Sequence, residues 1–456
     1  MNLLQRLWQA DLPEISERHR RKAEVFMIVF AVAYAVALLA TYHYAFIGPV
    51  LGEDTSFTFL LDFLRLAGGT GEQLGIGATL FWLLSLAIVG NAAYRALVIH
   101  RAYRAHATAF GRPLPMNQLV AYVTTNLLNI FFAPLILLLL AGVAKISGHN
   151  WQDGLAAMTY LRQFAERCVA MVPTVVVLPR PLAFLVVFTV HTFVHYWMHR
   201  FSHTRRFLWL VIHRPHHVTE DISPVTTLPS VMSFPLVFVM MLPYLVGFGA
   251  LSKLFYPEPL YFEMIVVMLI MMVAEMYNHS GALYDHAAHT PWLRRLGFML
   301  CFGAYHLLHH ASDRDERFKD TCYTANLGPG PFSCWDKLFG TFRELEETMP
   351  LTGITDRPAL VNNPLRLLAA GITQIAYELY WNKDWRTRLW IIFGSANFYP
   401  PISKDFALAE DVHKRSGSTD ISPYVRKTGD NCQVVLHPGI ENEKLQDNLS
   451  KLKGMK

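Results

Sequence analysis

The sequence predicts an all-α integral membrane protein with about six transmembrane helices and a helical cap on the cytoplasmic side. Three observations carry this. Hydrophobic residues make up 53% of the 456, and charged residues only 16%, against about 25% charged in a soluble domain. Apolar stretches recur at the length a bilayer demands. Lys and Arg gather beside those stretches, as topology determinants do, and not in one patch, which speaks against a nucleic-acid binder.

The polar start MNLLQRLWQADLPEISERHRRK leads into the first apolar run, Val25–Phe46. That run is too long for a signal-peptide core and reads as a retained span. Two more lie at Leu74–Tyr94 and Leu119–Ala144, and a fourth begins at Leu182 and turns polar on one face in VVFTVHTFVHYWMHR. Val231–Leu251 and Leu260–Met276, joined by SKLFYPEP, read as a helical hairpin. Arg18, Arg20, Arg21 and Lys22 place the N-terminus in the cytoplasm, and Arg95, Arg101, Arg104 and Arg112 bring the third connection back to it. The fourth span then ends on the cytoplasmic side, beside Arg200, Arg205, Arg206 and Arg214, and both termini lie inside. Beyond Thr341, LRLLAAGITQIAYELYWNKDWRTRLWIIFG mixes aromatic residues with charges and reads as one or two interfacial helices. The polar remainder reads as a flexible cytoplasmic tail. Five cysteines without a CxxC pair give neither a disulfide framework nor a zinc–thiolate site.

Histidine carries the chemistry. Of 20 histidines, thirteen lie between His191 and His310. HTFVHYWMHRFSH sets His191, His195, His199 and His203 four residues apart, so their imidazoles stack along one helical face. HRPHH supplies His213, His216 and His217, and HLLHH repeats the HxxHH spacing with His306, His309 and His310. Between them NHSGALYDHAAH carries His279, His286 and His289. A lone histidine at a span end is ordinarily an interfacial residue. Two HxxHH copies and an HxxxH run at a membrane edge are not explained that way, because protonated imidazoles would repel and unpaired polar groups near lipid are costly. Neutral imidazoles bound to metal resolve both problems. A structural zinc takes four ligands, whereas about eight to ten imidazoles suit two metal ions with open positions. The cap is thus expected to hold a histidine-rich di-metal site. A zinc peptidase would need HExxH, which is absent from the sequence.

HYWMHRFSHTRRFLWLVIHRPHH, then GAYHLLHH, then CWDKLFGTF resemble the fatty acid hydroxylase/sterol desaturase superfamily over approximately Leu182 to Phe342. The resemblance implies a membrane-bound non-haem di-iron oxygenase that uses O2 to hydroxylate a lipid, whether sterol, fatty-acyl or other long-chain. A desaturase with the same centre remains open, because both reactions begin with hydrogen abstraction. A histidine-rich metal transporter or sensor is the alternative of a different class, although it would carry ligands in mid-span and often a repeat. Carried onto this sequence, the metal ligands are His199 and His203, then His213, His216 and His217, then His306, His309 and His310. The family also expects a histidine after the hairpin. His279 matches that local motif but sits far upstream, so His279 and His289 are both assigned, with His286 as an alternative. His195 is expected to orient a ligand histidine from outside the ligand set, or to bind in place of one. His191 is expected to be structural. Trp335 and Asp336 are expected to close the cap structurally, and ASDRDERFKD to be a solvated loop.

The implied cofactors are two iron ions. The implied partners are a lipid substrate, the membrane, and an electron-transfer protein of cytochrome b5-like or ferredoxin/reductase type. The four arginines around the first box offer it a basic surface. The chain divides into a membrane region with three spans (1–180), a catalytic domain (181–342), an interfacial helical region (343–400) and a polar tail (401–456). No eukaryotic retention signal is visible, which favours a multi-pass protein of a bacterial inner membrane over one of the endoplasmic reticulum, with its active site on the cytoplasmic side.

Overall fold

The computed structural model describes mainly residues 166–219, 246–260, 278–279, 284–300, 303–312, 315–318, 324–328, 333–353 and 363–396, a hairpin at 425–434, and scattered residues elsewhere, chiefly within 117–125 and 142–148. Among these the expected helical class holds. The spans read at Val25–Phe46, Leu74–Tyr94, Leu119–Ala144, Val231–Leu251 and Leu260–Met276 fall wholly or mostly outside the described residues. One helix among those described is long and apolar enough to cross a membrane.

That helix, α1 (Arg180–Thr204), opens with Pro in its first turn, where a missing N–H costs no hydrogen bond. Its inner face carries buried Ala183, Val187, Thr192, Tyr196 and His203. Leu182, Leu185, Val194, Met198 and Phe201 are exposed on the outside. Only 22% of its most apolar stretch is buried against the rest of the protein. Arg205 ends α1 in extended conformation, and the chain then enters a π-helical turn, Leu208–His213, before α2 (Arg214–His217). Pro215 accounts for the widened turn: it has no N–H to give, and its ring would clash with the carbonyl four residues back in a regular helix.

A short apolar helix, α3 (Val246–Phe255), lies beside the start of α1, where Leu178 N–H donates to the Phe255 carbonyl at 3.0 Å. Helices α4 (Tyr284–His289) and α5 (Pro291–Leu300) lead to α6 (Ala304–Leu307) and a tight 3-10 turn, Leu308–His310. Gly303 precedes α6 at φ 64°, ψ −124°, a conformation that a side chain resists. Helix α7 (Cys334–Leu338) is one turn long.

Two longer helices come next, α8 (Pro364–Trp381) and α9 (Trp385–Phe393). Asn363 caps α8 by accepting from Leu365 N–H and Arg366 N–H, and Asp384 caps α9 by accepting from Thr387 N–H. Gly371 of α8 lies against the backbone of the π turn, and a Cβ there would fall on the Leu210 carbonyl. α8 buries Leu367, Ala370 and Ile375 in a core shared with Trp209, Leu210, Val211 and Val218, while α9 leaves Trp385, Trp390 and Phe393 exposed.

Between these elements Arg206 and Glu378 form a buried bidentate pair, Nη1–Oε2 2.6 Å and Nη2–Oε1 2.8 Å, with side chains 1% and 0% exposed. Arg206 Nε also donates to the Phe398 carbonyl at 2.8 Å. The stretch read from sequence as a flexible tail carries an antiparallel hairpin, β1 (Val425–Thr428) and β2 (Asn431–Val434).

Removing one partner of a buried ion pair strands the other charge. Glu378→Ala is therefore expected to destabilise the fold by about 3–5 kcal/mol. Thermal unfolding in detergent should show a clearly lowered midpoint; an unchanged one would mean that α8 does not brace the π turn.

Candidate metal centre

The sequence brings imidazoles to one place by three local devices. The four-residue spacing on α1 puts His199 and His203 on the same face, with ring centroids 5.2 Å apart. The π turn and α2 then present His213, His216 and His217, all buried. On the opposite segment, α6 and its 3-10 continuation present His306, His309 and His310, also buried.

These side chains assemble into two groups of four. His199, His203, His213 and His309 form the first, and His216, His279, His306 and His310 the second; within each, the ligand nitrogens lie within 4.8 Å of one another. Nε2 atoms face Nε2 atoms, at 3.1 Å for His199–His213, 2.9 Å for His203–His309, and 3.1 Å for both His279–His216 and His279–His310. His217 lies between the groups. Its Nε2 is 3.1 Å from His213 Nε2, and its ring stacks on His310 at 4.2 Å between centroids.

Tautomers can be read at two rings. A carbonyl only accepts, so His199 Nδ1, 2.7 Å from the Leu327 carbonyl, carries the proton, and so does His309 Nδ1, 3.1 Å from the Ala325 carbonyl. In the neutral rings both Nε2 atoms then hold lone pairs, aimed into the first group. In the second group His306 has both ring nitrogens buried with no hydrogen-bond partner, an arrangement that a cation at the lone pair would relieve. Burial, and after it the neighbouring imidazoles, holds His213, His217, His306, His309 and His310 well below the ordinary imidazole range. Neutral, convergent and without thiolate, the set fits two metal ions.

Not every assigned histidine is in the cluster. His286 and His289 are exposed on α4 and belong to neither group. The reason is helical: Tyr284 and Ala288, one turn apart, take the buried face of α4, and the other two positions point away from it. His279 arrives by a different route. The neighbouring Asn278 accepts the Gly303 N–H at 2.6 Å. Gly281 N–H donates to the Ile222 carbonyl at 2.9 Å, and a Cβ on Gly281 would stand only 2.8 Å from that oxygen. The NHSG motif is thus explained by close packing. His195 is exposed, its ring 6.3 Å from that of His191. The Leu327 carbonyl holds His199 in the place expected of His195. His191 lies half-buried with its ring 6.1 Å from Phe248.

Residues 184–341 match the family model described as Fatty acid hydroxylase. This segment belongs to the fatty acid hydroxylase/sterol desaturase superfamily. No curated protein and no solved structure matches the chain. The family is one of membrane-associated oxidoreductases. Every histidine of the two groups lies inside the fatty acid hydroxylase segment, and α8 and α9, which pack behind the π turn, lie outside it.

Two further readings are corrected. Arg206 and Arg214 are 1% and 2% exposed, so neither contributes to a basic docking surface. The loop ASDRDERFKD is not wholly solvated: Asp315 is buried, pairs with Arg317 at 2.8 Å and accepts the Leu351 N–H at 3.0 Å. Arg317 and that N–H hold its carboxyl below the ordinary range even though burial opposes them. Asp313 and Arg314 are outside the described residues. The Leu327 and Ala325 carbonyls escaped the sequence reading, since a backbone acceptor leaves no residue-type signal.

In the unfolded chain these histidines titrate near 6.5, and in the folded chain well below. The unfolded state therefore binds more protons once the pH drops beneath that value. Stability is complete above it and falls with acid by up to about 1.4 kcal/mol per pH unit for each such histidine. Thermal midpoints of metal-free protein are expected to hold steady down to about pH 6.5 and decline steeply below it. A flat profile would contradict the buried neutral cluster.

Proposed function

We propose that the protein is a membrane-bound non-haem di-iron oxygenase that hydroxylates a lipid with O2 on the cytoplasmic side of the membrane. The observation that carries this reading is the pair of four-histidine groups, buried except for the half-buried His199, beside the end of a 25-residue apolar helix. His199, His203, His213 and His309 would hold one iron, and His216, His279, His306 and His310 the other, with His217 able to reach either. When bound, the irons supply O2 activation and the oxidising power to break an unreactive C–H bond. The chain's own residues do the rest. Buried imidazoles donate neutral nitrogens, so both iron oxidation states are held without added negative charge. Leu327 and Ala325 carbonyls fix two ring orientations. Leu307, Leu308 and Ala311, all 0% exposed, flank the second-group ligands and keep bulk water away.

The ligands on α1 sit in its last two turns, where a spanning helix reaches the interface. A mid-span transporter site would place them near its middle. Desaturation by the same centre differs only in the step after hydrogen abstraction. The electron donor is proposed to be an acidic carrier, cytochrome b5-like or a ferredoxin with its reductase. Arg205 is exposed and able to meet it. A bacterial inner membrane is the proposed location.

Metal analysis of detergent-purified protein tests the centre. Wild type is expected to carry two irons per chain, one for each group. His309→Ala and His216→Ala should each lose one, and the double variant both. Metal retained in the double variant would sink the assignment. Lipid extracts of cells with and without the protein then decide the reaction, since a hydroxylase adds oxygen and a desaturase removes two hydrogens.

A further inference from the structure

We propose that Asp336 is a positioning residue for the first metal group, acting on His199 through a single peptide unit. The inference rests on the two-metal reading above and gives a function to a side chain assigned only a structural one from sequence.

Asp336 is 0% exposed. Its Oδ2 accepts the Gly328 N–H at 2.7 Å, and its Oδ1 accepts the Leu327 N–H at 2.6 Å and the Thr341 hydroxyl at 2.7 Å. The Gly328 N–H and the Leu327 carbonyl belong to the same amide, and that carbonyl accepts the proton on His199 Nδ1 at 2.7 Å. The sequence of contacts is carboxylate, amide N–H, amide carbonyl, imidazole N–H. Amide resonance passes negative charge from one end of such a unit to the other. The carbonyl becomes a stronger acceptor, and the imidazole becomes a better donor at Nε2. A carboxylate bound directly to a ligand imidazole has the same effect in metal sites. Here a peptide stands between the two.

His309 is held by a neutral version of the same device. Its Nδ1 donates to the Ala325 carbonyl, whose amide partner, the Asn326 N–H, donates to the Thr341 carbonyl at 2.8 Å. Asn326 supplies the bend that lets carbonyls two residues apart meet two different rings. It is fully buried at φ 48°, and its side chain donates to the Tyr305 and Arg343 carbonyls at 2.9 and 3.0 Å. Asp336 and Thr341 close this loop from the CWDKLFGT segment, so a motif distant from the histidine boxes sets the electronics of one metal group.

The test uses full-length protein and zinc as a redox-silent probe. In the His216→Ala background only the first group is left complete, and in the His309→Ala background only the second. Asp336→Asn puts an amide N–H or a weaker acceptor against the Gly328 N–H. It is expected to weaken zinc retention against a chelator about 10–100-fold in the first background and to leave the second unchanged. Equal weakening in both, or none in either, overturns the proposal. Should Asp336→Asn fail to accumulate, Asp336→Glu decides, with a smaller loss confined to the first background. Nitrogen NMR of histidine-labelled, metal-free protein gives a reading independent of metal. His199 is expected to hold its proton on Nδ1 in wild type and to lose that preference in Asp336→Asn. If wild type binds no zinc the metal reading fails, and this tautomer measurement alone decides the Asp336 relay.

Discussion

Nine buried or half-buried imidazoles share one small volume, and they can do so only while uncharged. Two protonated rings with nitrogens near 3 Å would repel strongly where water cannot screen them, and among the described residues no carboxylate belongs to either group to offset them. Neutrality is therefore the condition on which the rest of the structure depends. It explains why the rings tolerate burial and why carbonyls and not carboxylates take the Nδ1 protons of His199 and His309.

The HxxHH spacing acquires its meaning from how the groups divide it. In HRPHH, His213 goes to the first group and His216 to the second; in HLLHH, His309 goes to the first, and His306 and His310 to the second. Neither box belongs to one group. Adjacent helical residues diverge by about 100°, which separates His309 from His310. Each box thus straddles both sites and fixes their separation. Tight or widened turns are needed where this happens, and both are present: a π turn before Pro215 and a 3-10 turn across Leu308–His310. Such turns are weak in isolation. The Arg206–Glu378 pair and the close approach of Gly371 to Leu210 give the π turn a rigid backing. That backing comes from beyond residue 341, outside the fatty acid hydroxylase segment.

Sequence made the histidine pattern legible because ligand type and spacing are both written in it. His279 was visible through NHSG, whereas separating it from His289 required knowing which face of α4 is buried, which a six-residue helix does not announce. The role of Arg206 was hidden for another reason. An arginine beside a span end reads as a topology signal, and only its contact with Glu378, 172 positions away, shows it as a core residue. Asp315 was misread as solvated because DRDER has the composition of a surface loop. The carbonyls of Leu327 and Ala325 had no signature at all, since every residue has one. Local pattern thus identified the side chains that converge, and long-range pairing determined what orients them.

Helix α1 joins the two halves of the proposed chemistry. A helix rises about 1.5 Å per residue, so 25 residues extend roughly 37 Å, somewhat more than a hydrocarbon core of about 30 Å. His199 and His203 lie in the last two turns before its end at Thr204, which puts them near headgroup depth if α1 spans the bilayer. The exposed Met198 and Phe201 occupy the other side of these same turns, with Val194 one turn earlier. One short stretch of helix therefore offers apolar surface outward and imidazole nitrogens inward. A long-chain molecule lying in the membrane along that outer face would be within a helix diameter of the metal-binding nitrogens, without its alkyl chain having to enter water.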